Sequence, residues 1–263
     1  MKLRRINAIF LRYFYIYRRS ATRLLETVYW PLLDLVLWGF VALYLARYRK
    51  GLPQFVAFLL GALILWDILF RAQQGISVSF LEDVWARNFL NIFVSPLSTP
   101  EYLLALMLAS LLKIVIAATV LTLLAWLLFS FNIFLIGVAL LPFLVCLIIL
   151  GWAVGIFTTA IILRFGQQAE VLAWGIALLF QPVSAVFYPL SVLPPFLRTV
   201  ARFVPSSHVF EGMRQVISGG GFPARDLLVA FGLDVLYLAG ALAFFFGMFR
   251  VVRKKGLLAR IGE

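Results

Sequence analysis

Long apolar stretches dominate the chain and are separated by short polar ones. Six runs hold roughly 20 residues or more with few charges, which is the length an α-helix needs to cross a hydrocarbon core about 30 Å thick. The short alternating segments of a transmembrane β-barrel do not occur. The pattern therefore predicts an all-α integral membrane protein with six transmembrane helices. The runs cover residues 28–46, 55–77, 102–129, 133–163, 171–188 and 227–251.

Composition supports a membrane protein. Hydrophobic residues make up 64% of the 263 positions and charged residues 13%, against about 45–50% and about 25% in soluble domains. The net charge of +12 would suggest nucleic acid in a soluble chain, but most basic residues fall on the side of the membrane that would hold the N-terminus. The positive-inside rule then predicts a multi-pass protein of the inner membrane with both termini cytoplasmic and no nucleic-acid partner.

One membrane domain over residues 1–263 is the simplest organisation, because neither a repeat nor a polar linker interrupts the pattern. The first apolar run follows about 25 basic and aromatic residues, so we expect it to remain as a span and not to be removed as a signal peptide. Cys146 is the only cysteine and His208 the only histidine. We therefore expect no bound metal, no cofactor and no catalytic residues in this chain.

Two polar segments flank the first two spans on the predicted cytoplasmic side. Residues 1–26 carry apolar side chains at helical spacing with arginines elsewhere around the wheel, which predicts an amphipathic interfacial helix. That helix could anchor the chain to anionic lipids or form part of a lateral gate. Residues 81–97 show a second amphipathic pattern, which Ser95 and Pro96 end. The apolar positions of the first segment are Leu3, Ile6, Phe10, Tyr13, Phe14 and Tyr17.

Prolines interrupt the segment over 189–221, before the last span. Each proline removes a backbone donor and clashes with the preceding turn, so this segment must form short helices and not one continuous helix. Interrupted backbone at membrane depth is tolerated where protein buries it or water reaches it, which suggests the mouth of a transport pathway. The interrupting residues include Pro189, Pro194 and Pro205.

Ionisable residues also lie inside the apolar runs. Each would cost on the order of 2.5–3.5 kcal/mol if it were ionised without a partner. We expect Lys113 to reach Asp34 or Asp67, with Arg71 one helical turn from Asp67, in a cluster that ties the first three spans together. A substrate or proton-coupled site is the alternative. Asp234 has no obvious sequence neighbour and could pair with the interrupted segment.

These parts in this order resemble the permease subunits of type-2 ATP-binding-cassette exporters, a family that includes polysaccharide, lipid-linked glycan and drug exporters. The resemblance covers nearly the whole chain. Its most specific part is a proline after the fifth run, a Leu-Pro pair, a later proline, and an aromatic residue or histidine before Glu and Arg. The matching residues are Pro189, Leu193, Pro194, Pro205, His208, Glu211 and Arg214.

The resemblance implies a role for each polar segment. Residues 81–97 would form the coupling helix that docks into an ATPase subunit, and residues 189–221 would form an extracellular re-entrant pair of short helices. Two ATPase subunits would bind ATP and Mg²⁺, and a second permease, either a copy of this chain or a related one, would complete the exporter. The coupling residues carried over are Glu82, Asp83, Arg87, Phe89, Pro96 and Leu97.

The sequence carries no G-x-x-x-x-G-K-[ST] phosphate loop, so we expect a transport subunit that relies on a separate ATPase. Its substrate would be amphipathic, such as a lipid, a lipid-linked glycan or a hydrophobic drug, and would move outward. Two alternatives remain open from the residues alone. One is a membrane-embedded enzyme acting on a lipid carrier, and the other is a passive channel or scaffold.

Overall fold

The computed structural model describes residues 2–48, 53–86 and 88–256. They form ten α-helices joined by turns and short 3₁₀ segments. The helices are α1 (Leu3–Arg19), α2 (Ala21–Tyr48), α3 (Pro53–Trp85), α4 (Phe89–Val94), α5 (Thr99–Phe129), α6 (Leu140–Phe165), α7 (Glu170–Phe180), α8 (Pro195–Ala201), α9 (Pro205–Ile217) and α10 (Ala224–Lys254). We call the end of the bundle that carries α4 the α4 end, and the opposite end the α9 end.

Five of the described helices are long and apolar enough to cross a membrane, namely α2, α3, α5, α6 with its preceding 3₁₀ segment, and α10. The fifth predicted span, over 171–188, is not such a helix. Its helical part, α7, has 11 residues and turns follow it up to Tyr188. Pro182 explains the early end, because its ring would clash with the carbonyl of Leu178 in a continued helix.

Helix α3 forms the centre of the bundle, where α2, α5 and α6 surround it. Most of its membrane-spanning length is buried within the protein. Glycines bring α6 close: a Cβ on Gly151 would lie 2.5 Å from the Ala72 Cβ, and one on Gly155 would lie 2.8 Å from the Gln73 carbonyl oxygen. Helix–helix contact in membranes favours such small residues because they let backbones approach.

The amphipathic pattern at the N-terminus forms a shorter helix than the predicted 1–26. Helix α1 ends at Arg19, Ser20 is extended with φ −116° and ψ 99°, and α2 begins at Ala21. Helix α1 packs against α5. Ile6, Tyr13 and Tyr17 of its predicted apolar face are buried, whereas Leu3 is 76% exposed. The polar residue at position 20 therefore separates the surface helix from the first span.

The predicted helix over 81–97 is divided in two. Residues 81–85 continue α3, because Phe80, Leu81 and Val84 are buried in its core contacts and favour continuation of the same helix. A turn follows, and only α4 stands as a separate helix of six residues, which ends at Val94 with Ser95 as its C-cap. Helix α5 then begins with a capping box in which the Ser98 backbone N–H donates to Glu101 Oε2 at 2.9 Å.

The interrupted segment over 189–221 contains two short helices, α8 and α9. Pro195 and Pro205 occupy their first positions, where a missing N–H removes no helical hydrogen bond. Gly219 and Gly221 follow with φ of +81° and +79°, values that glycine adopts without steric cost. The proline positions therefore coincide with the starts of both short helices.

Candidate functional site

A cavity of about 500 Å³ lies between α2, α3, α5 and α7. It begins near Arg23 and Glu82 at the α4 end and extends to Trp38 and Phe187. Its volume falls within the range of roughly 300–1,000 Å³ typical of small-molecule sites. The ionisable and amide side chains that line it are Tyr17, Arg23, Glu26, Asp34, Asp67, Arg71, Gln74, Glu82, Lys113 and Gln181.

Asp67 and Arg71 form an ion pair on the α3 wall of the cavity. They are four residues apart and share one helix face, with Arg71 Nε 3.1 Å from Asp67 Oδ1. Arg71 also donates to the Gln74 side-chain oxygen at 3.1 Å. Asp67 Oδ2 is buried and has no hydrogen-bond partner among the described residues. One oxygen of this carboxylate is therefore satisfied and the other is not.

Lys113 on α5 lines the same cavity but pairs with neither predicted carboxylate. Its ammonium donates to Ser79 Oγ at 2.9 Å and lies 4.6 Å from the centre of the Tyr17 ring. The predicted ion pair of Lys113 with Asp34 or Asp67 is therefore wrong. The α4 end of the cavity offers Lys113 a hydroxyl and an aromatic face nearer than either aspartate, and such a contact with an aromatic face stabilises a buried cation.

The two remaining acidic side chains of the α2 wall are not paired. Arg23 donates to Glu82 Oε2 at 2.7 Å, which joins the start of α2 to the end of α3. Glu26 and Asp34 take part in no ion pair with a described residue. Both are exposed along α2.

Aromatic side chains form the other part of the lining. Trp66 is buried, whereas Trp30, Trp38 and Trp174 are 63%, 42% and 41% exposed. Trp38 stacks on Phe187 with ring centres 6.0 Å apart. The exposed tryptophans belong to α2 and α7.

Asp83, predicted as a coupling residue, is instead at the centre of a buried hydrogen-bond cluster. Its Oδ2 accepts from the Tyr13 hydroxyl at 2.6 Å and from the Tyr102 hydroxyl at 2.8 Å, and Arg12 donates to its Oδ1. Tyr13 also donates to the Ser79 carbonyl at 3.1 Å. Burial, followed by the Asp83 charge, raises the pKa of Tyr13 well above the ordinary tyrosine value, so Tyr13 remains a donor. Only 1% of Asp83 is exposed.

Glu101 ties the start of α1 to the start of α5. Its Oε1 accepts from the Lys2 backbone N–H at 2.7 Å, and Arg5 lies 3.6 Å from its Oε2. Together with the Asp83 cluster, this places α1 against both segments that flank α4. Any movement of α4 relative to the bundle therefore acts on segments that α1 joins.

Helix α4 and the turn after it present a small exposed surface. Ile92 is buried and anchors the helix, whereas Val94 is 86% exposed. Pro96 is exposed and Leu97 is half-buried. Of the other predicted coupling residues, Arg87 and the side chain of Phe89 lie outside the described residues. Glu82 and Asp83 bond within the chain, as described above.

The predicted Glu-Arg pair of α9 holds the turn between α7 and α8. Arg214 lies 3.0 Å from Glu211, donates to the Tyr188 carbonyl at 2.6 Å and also donates to the Ala185 carbonyl. Glu211 in turn accepts from the Leu190 backbone N–H at 2.7 Å. These bonds satisfy backbone groups that the interrupted helix leaves without partners.

His208 also has a structural position. One ring nitrogen lies 3.2 Å from Asp226 Oδ1, and the other lies 2.9 Å from the Arg202 carbonyl oxygen. The imidazole thus connects the end of α8 to the start of α10. Pro189 precedes the short 3₁₀ segment Leu190–Val192, and Pro194 precedes α8.

Asp234 does not contact the interrupted segment as predicted. It is fully buried on α10, where the thiol of Cys146 on α6 is its nearest polar neighbour. Neither of its oxygens has a hydrogen-bond partner of ordinary geometry within the described part of the chain. The Cys146 neighbour places the Asp234 side chain towards α6.

Helix length, apolar composition and the charged cavity define a multi-pass membrane protein. The sequence matches the ABC-2 type transporter family over residues 5–218. The chain therefore belongs to this family and is a permease subunit of an ABC transporter, a class that works with an ATPase partner. A search of curated proteins gave no significant match.

Several site residues carry no signal in the sequence. Tyr13 and Tyr17 belong to the predicted apolar face of the N-terminal helix, but their hydroxyl and ring partners lie more than 60 residues away. Ser79 lies just after the apolar run over 55–77 and Tyr102 begins the run over 102–129, and neither residue stands out in the sequence. For Glu101 the capping-box spacing Ser98–Glu101 predicts a helix start, although its contact with Lys2 has no local signature.

Proposed function

We propose that this chain is the membrane-spanning permease of an ATP-driven exporter that moves an amphipathic substrate outward. The observation that carries the proposal is the cavity within the spanning helices, which combines charges with tryptophans, three of them exposed on α2 and α7. Charged side chains and tryptophans in one cavity suit a molecule with a polar head and an apolar body. The exposed tryptophans on α2 and α7 suit entry of such a molecule from a lipid leaflet between these two helices.

The proposed energy source is a separate ATPase subunit docked on α4. Helix α4 suits this role because Ile92 fixes it to the bundle while Val94 and Pro96 remain exposed. A small protruding apolar surface of this kind can act as a peg in a partner's cleft. The bonds of Asp83 and Glu101 would pass its displacement to α1, α3 and α5.

The proposed complex contains two ATPase subunits, which bind ATP and Mg²⁺, and two permeases. A homodimer of this chain is the simplest case, and a related permease is the alternative. Exposed apolar side chains on α2, such as Trp30, Leu37 and Phe40, suit contact with lipid or a second permease. The proposed location is the inner membrane with both termini cytoplasmic.

Copurification tests the docking of α4. The chain is extracted in mild detergent with its ATPase partner, and Val94→Asp is compared with Val138→Asp. Both valines are 86% exposed, but Val138 lies at the α9 end. We expect Val94→Asp to remove most of the ATPase from the complex and Val138→Asp to retain it.

Two results would contradict the proposal. If the wild-type chain purifies without an ATPase under several gentle conditions, the proposed energy source of the exporter is contradicted. If both variants retain the ATPase equally, α4 is not the docking site. Glu82 and Asp83 are unsuitable as test positions, because changing them breaks bonds inside the permease.

A further inference from the structure

The charges that line the cavity do not balance. Its acidic side chains are Glu26, Asp34, Asp67 and Glu82, and its basic ones are Arg23, Arg71 and Lys113. Arg23 pairs with Glu82 and Arg71 pairs with Asp67. Glu26, Asp34 and Lys113 take part in no ion pair with a described residue. The acidic side chains therefore exceed the basic ones by one, and Asp34 is the unpaired carboxylate that shares α2 with Trp38 and the cavity with Asp67.

We propose that the cavity binds a cationic amphiphile, with the positive head beside Asp34 and the apolar body along the tryptophans. This inference rests on the proposed function and names the substrate class of the same cavity. Asp34 lies about 20 Å along α2 from its first residue at 1.5 Å per residue, so its carboxylate is deep in a core about 30 Å thick. A cation bound there would offset the cost of a charge at that depth.

Asp67 gives a second and independent indication. The side chain is buried, it lines the cavity, and its Oδ2 lacks a hydrogen-bond partner among the described residues. A buried acceptor without a partner is costly, whereas a bound ammonium or other cationic head would supply a donor or a charge. Asp34 and Asp67 face the same space from α2 and α3, so one head group could interact with both.

The tryptophans favour a cation over a neutral or anionic ligand. Indole rings attract a cation placed over their faces, and sites for quaternary ammonium groups are built from such rings. Trp38 and Trp66 line the same stretch of the cavity as Asp34 and Asp67. Lys113, the one basic side chain there without an ion pair, is held by Ser79 and Tyr17 and is only 6% exposed, so an anion would find few free donors.

A pair of ions of equal shape and opposite charge tests the proposal. The permease–ATPase complex is reconstituted in phosphatidylcholine nanodiscs, and binding of radiolabelled tetraphenylphosphonium is compared with that of tetraphenylborate. We expect saturable binding of the phosphonium only. Asp34→Asn should weaken it at least tenfold, Asp34→Glu should retain it, and Glu170→Gln, which removes a carboxylate outside the cavity, should leave it unchanged.

Equal binding of the two ions, or unchanged phosphonium binding by Asp34→Asn, would overturn the proposal. Elution of Asp34→Asn with its ATPase partner at the wild-type volume shows that the variant is assembled. A complex that retains its ATPase but binds no phosphonium contradicts only the substrate class. A chain that never binds an ATPase contradicts the proposed function, whatever its affinity for the phosphonium.

Discussion

Replacing Tyr13 by Phe removes one hydroxyl from the Asp83 cluster and changes little else. The hydroxyl donates to Asp83 Oδ2 and to the Ser79 carbonyl, and only 2% of Tyr13 is exposed. A hydrogen bond to a charged group contributes about 1.5–3 kcal/mol. Asp83 would keep its bonds to Arg12 and Tyr102, so we expect a loss within that range and not the loss of the fold.

The assay is thermal unfolding of the purified chain in detergent. The quantity measured is the fraction of protein that remains monodisperse after heating to each temperature. For a chain of this size each kcal/mol corresponds to roughly 2–4 °C, so Tyr13→Phe should lower the melting temperature by roughly 3–12 °C. Tyr15→Phe on the same helix is the matched control, since Tyr15 is 50% exposed and should lose less than 1 °C. Equal shifts for the two variants would refute a role for the Asp83 cluster in stability.

Two further predictions concern helix packing and the buried ammonium. Gly151→Ala should destabilise the chain by about 1–3 kcal/mol, because the added Cβ overlaps α3. Gly232→Ala is the control and should leave the stability unchanged, since its Cβ would meet nothing within 4 Å. Similar melting temperatures for the two variants would contradict the packing of α6 on α3. Lys113→Met should reduce assembled protein or ATP-driven transport more than Leu127→Ala, a change at a 60% exposed position. Unchanged yield and transport would remove Lys113 from the mechanism.

Local sequence patterns predicted the parts of the fold that depend on local chemistry. Apolar runs identified the five long helices, and the Ser98–Glu101 spacing and the prolines of 195 and 205 lie where helices start. The prediction of a transmembrane helix over 171–188 was wrong, because an average of hydropathy over the run does not register the break that Pro182 causes. The same averaging could not distinguish the last turn of α3 from a separate helix, because Leu81 and Val84 suit either.

The candidate site could be predicted only in part. Ionisable residues inside apolar runs stand out by their cost, and Asp34, Asp67, Arg71 and Lys113 do line one cavity. The ion pairs that form among these residues depend on the distances between side chains of neighbouring helices. Spacing along the sequence does not give those distances. The partners of Lys113 are a serine and a tyrosine, residue types too common in membrane helices to be recognised beforehand.

The contacts of α1 have a consequence for the order in which the chain assembles. Its first bond, from Lys2 to Glu101, joins residues 99 positions apart, and Tyr13 and Asp83 are 70 apart. Ribosomes add about 5–20 residues each second, so α1 is complete several seconds before its docking partners exist. During that interval the aromatic face of α1 has no protein partner. We therefore expect α1 to bind to the membrane surface until α5 is synthesised.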